Sequence, residues 1–112
     1  APPSDLTHYD THYTERYLGQ PAVHKRGYTQ ALIGQKDILQ IRAPLLLMHG
    51  MSDDNVLLVN TLRVVRKLQD HVAPFELMLY PGKAHSLWGI GTRAHVLDQL
   101  TSFFARTLQT WR

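Results

Sequence analysis

Two short apolar segments, each introduced by a proline and closed by a turn, constrain the fold of this chain more than any other feature. One covers residues 44–49 and ends at Gly50, and the other covers residues 75–80 and ends at Gly82. Short continuous apolar runs bounded by turn residues are typical of strands buried in a parallel sheet. We therefore predict parallel strands near residues 44–49 and 75–80.

A helical pattern follows each predicted strand. The first covers residues 57–70 and places these side chains on one apolar face: Leu58, Leu62, Val65 and Leu68. The second covers residues 92–109 and predicts this buried stripe: Val96, Leu97, Leu100, Phe103, Phe104 and Leu108. Strand, helix, strand and helix in this order indicate an α/β fold with helices packed on a parallel sheet. The 112 residues are enough for one domain.

The first thirty residues carry a row of aromatic side chains. Tyr9, Tyr13 and Tyr17 recur every four residues, which predicts one or two helical turns that end at Gly19. Taken by residue type alone, such a row is more often part of a core than of a binding site. The following residues 22–36 are typical of a loop with a short helix.

The composition argues against nucleic acid and membrane as partners. The twelve Lys and Arg residues exceed the nine Asp and Glu residues only slightly and are spread along the chain. The longest basic run, residues 24–26, is interpreted as a solvated loop, so we predict no nucleic-acid partner. No apolar run reaches the roughly 18 residues that cross a bilayer, so we predict no membrane partner. The absence of cysteine excludes disulfides and a thiolate nucleophile, and leaves periplasmic and cytoplasmic locations equally compatible.

Acidic and imidazole side chains follow the two predicted strands. Asp53, Asp54 and Asn55 come after the first strand, and His85 comes after the second. Because parallel strands present their carboxyl ends at one edge of a sheet, a carboxylate and the imidazole can meet there as an acid–base pair. The order of acid before histidine matches the α/β-hydrolase order. A turn that caps the next helix, with an ordinary loop histidine, explains the same residues.

A nucleophile is missing from this pattern. The four serines are Ser4, Ser52, Ser86 and Ser102, and none of them lies in the Gly-x-Ser-x-Gly turn of an α/β-hydrolase. His8 and His12 have a spacing that can bind zinc on a helix, but a third ligand is not evident. We therefore predict no metal site and no other cofactor.

Three segments resemble the dipeptidyl peptidase IV-type branch of the prolyl oligopeptidase family of serine peptidases. Residues 9–19 resemble its Tyr-Asp-x-x-Tyr-Thr-Glu-Arg-Tyr-Met-Gly segment, residues 44–56 resemble its strand and Asp-Asp-Asn-Val loop, and residues 75–85 resemble its last strand and histidine loop. The resemblance extends from about residue 3 to the C terminus. It implies that residues 1–112 are the C-terminal portion of an α/β-hydrolase catalytic domain.

The resemblance also implies roles for single residues. Asp53, rather than Asp54, matches the catalytic acid, and His85 matches the general base. The implied substrate-binding residues are Tyr9, Tyr13, Asn55 and Val56: the tyrosines and the valine line a pocket for proline or another small residue, and the amide binds a substrate carbonyl. Two positions depart from the family pattern, because Leu6 replaces a usual tryptophan and Ser86 replaces a usual glycine.

The implied activity is removal of dipeptides from peptide substrates after N-terminal X-Pro or X-Ala. In the family, the serine turn and the propeller domain lie upstream of the matching region. We therefore expect the missing N-terminal part of the same enzyme as a partner, and we expect the isolated chain to be inactive. A start at Ala1 rather than at methionine agrees with this expectation.

Two other interpretations stay open at this stage. One is another oligopeptidase branch, such as an acylaminoacyl peptidase, although the Tyr-Thr-Glu-Arg-Tyr segment favours the dipeptidyl branch. The other is a non-catalytic α/β interaction module. An incomplete sheet exposes edges and apolar faces, so such a module would pair with a second copy as a homo-oligomer.

Overall fold

The computed structural model describes residues 1–109 of the protein. The predicted domain extends to residue 112, and its last three positions lie outside the described residues. In chain order the elements are a 3₁₀ turn (Leu6–His8), α1 (Thr11–Leu18), α2 (Lys25–Ala31), α3 (Gln35–Gln40), β1 (Leu46–Gly50), α4 (Val59–Asp70), β2 (Glu76–Tyr80) and α5 (Ile90–Gln109). Both predicted strands and both predicted long helices are present, with bounds that differ by two residues or fewer.

The two strands form a parallel pair joined by α4. Their register runs from Leu46 opposite Glu76 to Gly50 opposite Tyr80. The carboxyl ends of both strands therefore lie side by side, as the sequence predicted. The sequence led us to expect a strand that is buried on both faces, and for β1 this expectation is wrong. Leu47 is buried, but Leu46 and Met48, which lie on the opposite face, are only partly buried.

The core lies between β1, α3 and α4. Its buried members are Ile38, Leu47, Val64, Val65 and Leu68. Within α4 the predicted face is partly wrong, because Leu62 is exposed whereas Asn60 and Thr61 are completely buried. These two polar side chains can be buried because each has hydrogen-bond partners, which offset the cost of leaving water.

The predicted stripe of α5 is also mostly wrong. Only Phe103 is buried, while Leu97, Phe104 and Leu108 are exposed by half or more of their surface. A two-stranded sheet offers apolar surface to only a short part of a 20-residue helix. Polar contacts fasten the helix as well, and one of them is the ion pair between Arg106 and Glu76. Within residues 1–109, no helix combines the length and the apolar character needed to cross a bilayer.

The N-terminal segment forms α1 and carries the aromatic row. Asp10 begins the helix by accepting a hydrogen bond from the backbone N–H of Tyr13 at 2.7 Å, and Gly19 ends it with a φ of 72°. Tyr13 is 55% exposed and Tyr17 is 66% exposed, so the interpretation of this row as core is wrong for both. The basic residues 24–26 are exposed as predicted, but residues 25 and 26 begin α2 instead of lying in a loop.

Polar contacts dock this segment on α4. The Ser4 hydroxyl donates to the backbone carbonyl of Asn60 at 2.7 Å, and the Asp5 backbone N–H donates to the Asn60 side-chain oxygen at 3.0 Å. The Asp5 carboxylate also pairs with Arg63. The hydrogen bonds that hold Ser4 and Asp5 thus fix where the following tyrosines lie relative to the sheet.

Candidate active site

Two loops meet at the carboxyl ends of the strands. We call residues 51–58 the acid loop and residues 81–89 the histidine loop. The backbone N–H of Ser52 donates to the carbonyl of Lys83 at 3.0 Å, which joins the two loops directly. At Gly50 a Cβ atom would lie 2.3 Å from the Lys83 oxygen and 2.6 Å from the Ala84 oxygen. The absence of a side chain at Gly50 is therefore what lets the loops approach.

The acid loop and the histidine loop bring Asp53 and His85 into contact. Nδ1 of His85 lies 2.9 Å from Oδ2 of Asp53, although the residues are 32 positions apart. The other carboxylate oxygen accepts the backbone N–H groups of Asn55 and Val56, each at 2.9 Å. Asp53 thus holds its own turn and also faces the histidine. The alternative interpretation of these residues as a cap of the next helix is wrong, because within residues 1–109 no side chain caps α4 at Leu58. Asp54 is exposed and does not contact His85.

Hydrogen bonding determines the ionisation state of Asp53. Burial alone would raise the pKa of Asp53, but the hydrogen bonds from His85 and from the backbone of Val56 and Asn55 outweigh it and lower the pKa. Asp53 is therefore a carboxylate at neutral pH and accepts the Nδ1 hydrogen of His85. This leaves the lone pair on Nε2, which has no hydrogen-bond partner within residues 1–109. An imidazole in this tautomer can accept a proton from a nucleophile.

A second histidine, which sequence reasoning missed, lies on the other side of the acid. His49 lies in β1, one residue before its end at Gly50, and its side chain is fully buried. Its Nε2 lies 2.7 Å from the carbonyl oxygen of Val56 and 3.3 Å from Oδ2 of Asp53, and its Nδ1 lies 2.6 Å from the Thr61 hydroxyl. The one signal in the sequence was a polar residue inside an apolar strand, four residues before the acid.

A cavity of about 570 Å³ opens beside the acid loop. It is lined by His8, Tyr9, Asp10, Tyr13, Asp54, Asn55 and Leu57. The rings of Tyr9 and Tyr13 meet edge to face at 5.7 Å, and the Tyr9 hydroxyl donates to the Asn55 side-chain oxygen at 3.2 Å. Three predicted substrate-binding residues therefore lie together. Val56 lies outside this cavity, and only 4% of its surface is exposed.

The remaining candidates do not contact the Asp53–His85 pair. Ser4 is buried against α4, and no serine within the described residues is hydrogen-bonded to His85. His8 lies 3.8 Å from the Asp5 carboxylate. In the part of the chain that the structure describes, no three acidic, histidine or cysteine side chains are grouped to hold a metal ion.

A parallel β-α-β unit with an aspartate and a histidine at its strand ends has the arrangement of an α/β-hydrolase. The chain belongs to the prolyl oligopeptidase family, whose model matches residues 1–110.

Relatives and solved structures agree with this membership. The chain is 39% identical over 104 residues to dipeptidyl-aminopeptidase B of Aspergillus niger, and 37% identical over 111 residues to dipeptidyl peptidase family member 1 of Caenorhabditis elegans. Its structure resembles that of Porphyromonas gingivalis dipeptidyl peptidase 4, with a TM-score of 0.89 and 32% identity. It also resembles a putative dipeptidyl aminopeptidase IV of Bacteroides ovatus, with a TM-score of 0.85 and 26% identity. The predicted family and fold are thereby confirmed.

The similarity covers most of this chain and a small part of each relative. It spans 92% of the chain against 12% of the Aspergillus protein, and 98% against 13% of the Caenorhabditis protein. For the two solved structures, the similarity covers 95% and 93% of the chain against 15% and 14% of the matched chains.

Proposed function

We propose that this chain is the C-terminal part of the catalytic domain of a serine-type dipeptidyl peptidase that cleaves after N-terminal X-Pro or X-Ala. One observation carries the proposal: Nδ1 of His85 lies 2.9 Å from the buried carboxylate of Asp53, at the ends of adjacent parallel strands. Membership of the prolyl oligopeptidase family supports it, as do relatives named dipeptidyl peptidases.

In the proposed mechanism His85 moves protons and Asp53 orients it. In the first step, Nε2 of His85 accepts the hydroxyl proton of a serine that belongs to an earlier part of the enzyme. The oxygen of this serine attacks the carbonyl carbon of the scissile bond. His85 then gives that proton to the leaving amine as the C–N bond breaks, which leaves an acyl-enzyme. His85 then takes a proton from water as the water oxygen attacks the acyl carbon. It returns this proton to the serine oxygen as the ester bond breaks, which releases the dipeptide and restores the serine. Asp53 stays ionised throughout and stabilises the imidazolium.

The cavity beside the acid loop is the proposed substrate pocket. The faces of Tyr9 and Tyr13 suit a rigid pyrrolidine ring, because they bury apolar area with few rotatable bonds. The Asn55 side-chain oxygen accepts the Tyr9 hydroxyl, so its amide N–H groups are directed elsewhere and can donate to a substrate carbonyl. Val56 contributes through its backbone, which binds Asp53 and His49.

We expect the full-length enzyme to release the chromophore from a dipeptide-proline chromogenic substrate, and the isolated 112-residue chain to release none above background. The reason is that Asp53 and His85 need a serine beside them, and no serine within residues 1–109 is hydrogen-bonded to His85. Turnover by the isolated chain, or none by the full-length enzyme, would contradict the proposal. Inactivity of both, with self-association of the chain in sedimentation, would instead favour the interaction module.

Removing the Asn55 amide is expected to weaken substrate binding. In the full-length enzyme Asn55→Ala should lower kcat/KM about 3- to 10-fold, mainly through KM, since it removes about one net hydrogen bond. Tyr9→Phe should have a smaller effect in the same direction, because it frees the orientation of the amide. Tyr17→Phe is the control, since Tyr17 belongs to the same aromatic row but lies outside the cavity. An unchanged KM in Asn55→Ala would remove Asn55 from the proposed pocket.

A further inference from the structure

We propose that His49 is a positioning residue for the catalytic acid. It acts on the reaction through Asp53 and through the backbone of the acid loop, without touching substrate. This inference rests on the proposed function, because it assigns a role to His49 only if Asp53 and His85 form the acid and base of the peptidase.

The hydrogen-bond partners of His49 fix its tautomer. Nε2 faces the carbonyl oxygen of Val56 at 2.7 Å and the ionised Asp53 at 3.3 Å, and both of these groups can only accept. Nε2 must therefore carry the hydrogen. In the neutral ring Nδ1 is then an acceptor, and the Thr61 hydroxyl, 2.6 Å away, donates to it. Both ring nitrogens are engaged, so the ring has one orientation.

This orientation restrains the carboxylate without competing for the base. Oδ1 of Asp53 is held by two backbone N–H groups, and Oδ2 lies between the rings of His49 and His85. The His49 hydrogen points mainly at the Val56 oxygen, so His85 keeps the shorter contact, 2.9 Å against 3.3 Å. Rotation of the carboxylate away from His85 would bring it against the buried ring.

Packing alone does not explain why a histidine occupies position 49. A polar side chain that is fully buried is costly unless it is hydrogen-bonded, and an apolar residue would suit a strand such as β1 better. Within residues 1–109, the side-chain nitrogens of His49 contact only the acid loop and Thr61 of α4. The contacts of the His49 side chain are therefore those expected of a residue that holds Asp53 in place.

The test uses the full-length enzyme. His49→Phe keeps the ring and loses both nitrogens, and we expect kcat to fall about 10- to 100-fold with KM changed less than about 3-fold, since small misplacement of a catalytic group has effects of this size. His49→Gln, whose amide can donate to the same acceptors, should recover about 10-fold of that loss. His71→Phe is the matched control, because the His71 ring also faces a backbone carbonyl, that of Lys67 at 2.8 Å, but at the opposite end of α4 from Thr61.

Thr61 gives a second pair of variants that disturbs the strand less. Thr61→Val removes the hydroxyl that anchors Nδ1 of His49 and should lower kcat about 3- to 10-fold, whereas Thr61→Ser keeps the hydroxyl and should retain kcat within about 2-fold. If His49→Phe does not fold, this pair decides the question. Thermal unfolding of each variant separates loss of kcat from loss of structure.

Two results would overturn the inference. One is a kcat within about 2-fold of the parent in Thr61→Val or in a folded His49→Phe. The other is a His49→Gln variant no better than His49→Phe, which would assign the loss to packing. If Asp53→Asn still abolishes activity in those cases, the proposed function stands and only the role of His49 is lost. If Asp53→Asn is active too, both proposals fail.

Discussion

Replacement of Asp53 by asparagine in the full-length enzyme is expected to lower kcat by about four orders of magnitude, which is the size of effect seen when the acid of a serine triad is made neutral. The new side chain has the same shape, and its oxygen can still accept the backbone N–H groups of Asn55 and Val56. Its amide, however, donates towards Nδ1 of His85. The imidazole must then carry its hydrogen on Nε2, the atom that has to accept the proton of the nucleophile.

Steady-state kinetics with a dipeptide-proline chromogenic substrate measures this loss, and circular dichroism melting shows whether the variant is folded. Asp70→Asn is the matched control. Asp70 also accepts a hydrogen bond from a basic side chain, that of Arg66 at 2.8 Å, but the pair is exposed on α4, and exposed pairs contribute little. We expect this control to keep kcat within about 2-fold. If Asp53→Asn retained a tenth of the parent kcat, Asp53 would not be the acid.

Replacement of Gly50 by alanine is expected to lower kcat about 100-fold. The new Cβ atom would lie 2.3 Å from the carbonyl oxygen of Lys83 and 2.6 Å from that of Ala84. Both are backbone atoms and cannot rotate aside, so the histidine loop has to move by the order of 1 Å, which is enough for a loss of this size. The hydrogen bond from Ser52 to Lys83 would be strained by the same movement.

Gly91→Ala is the matched control for this variant. Gly91 lies in the first turn of α5, where nothing stands within 4 Å of an added Cβ. Alanine is also the better helix former, by about 0.5–1 kcal/mol, so stability should be unchanged or slightly higher. Urea unfolding and kcat of both variants distinguish a local clash at Gly50 from a general effect of losing glycine. A Gly50→Ala enzyme with the parent kcat would show that the loops do not need this approach.

The parts of the fold that could be predicted are those set by local pattern. The apolar runs that became β1 and β2 are short, bounded by prolines and turn residues, and followed by helical periodicity, so their type and direction follow from the sequence. The meeting of Asp53 and His85 was predictable for the same reason, because parallel strands end at one edge of the sheet.

What the sequence did not reveal depends on partners distant in the chain. Asn60 and Thr61 are buried on α4 because they have hydrogen-bond partners in the N-terminal segment and in His49, and hydrophobic periodicity contains no information about such partners. Leu62, predicted inside, is exposed as a result of the same rotation of the buried face. On α5 the helix was predicted correctly but most of its buried stripe was not, because a sheet of two strands covers only the part near Phe103.

Two adjacent residues of α4 support the two halves of the proposed site. Asn60 holds Asp5 and the segment that leads to Tyr9 and the cavity, while Thr61 holds His49 and through it the acid. The proposed substrate pocket and the proposed acid–base pair are therefore both supported by one turn of α4. A displacement of that turn would move the proposed pocket and the Asp53–His85 pair together. Peptide affinity and the rate of proton transfer would then change together.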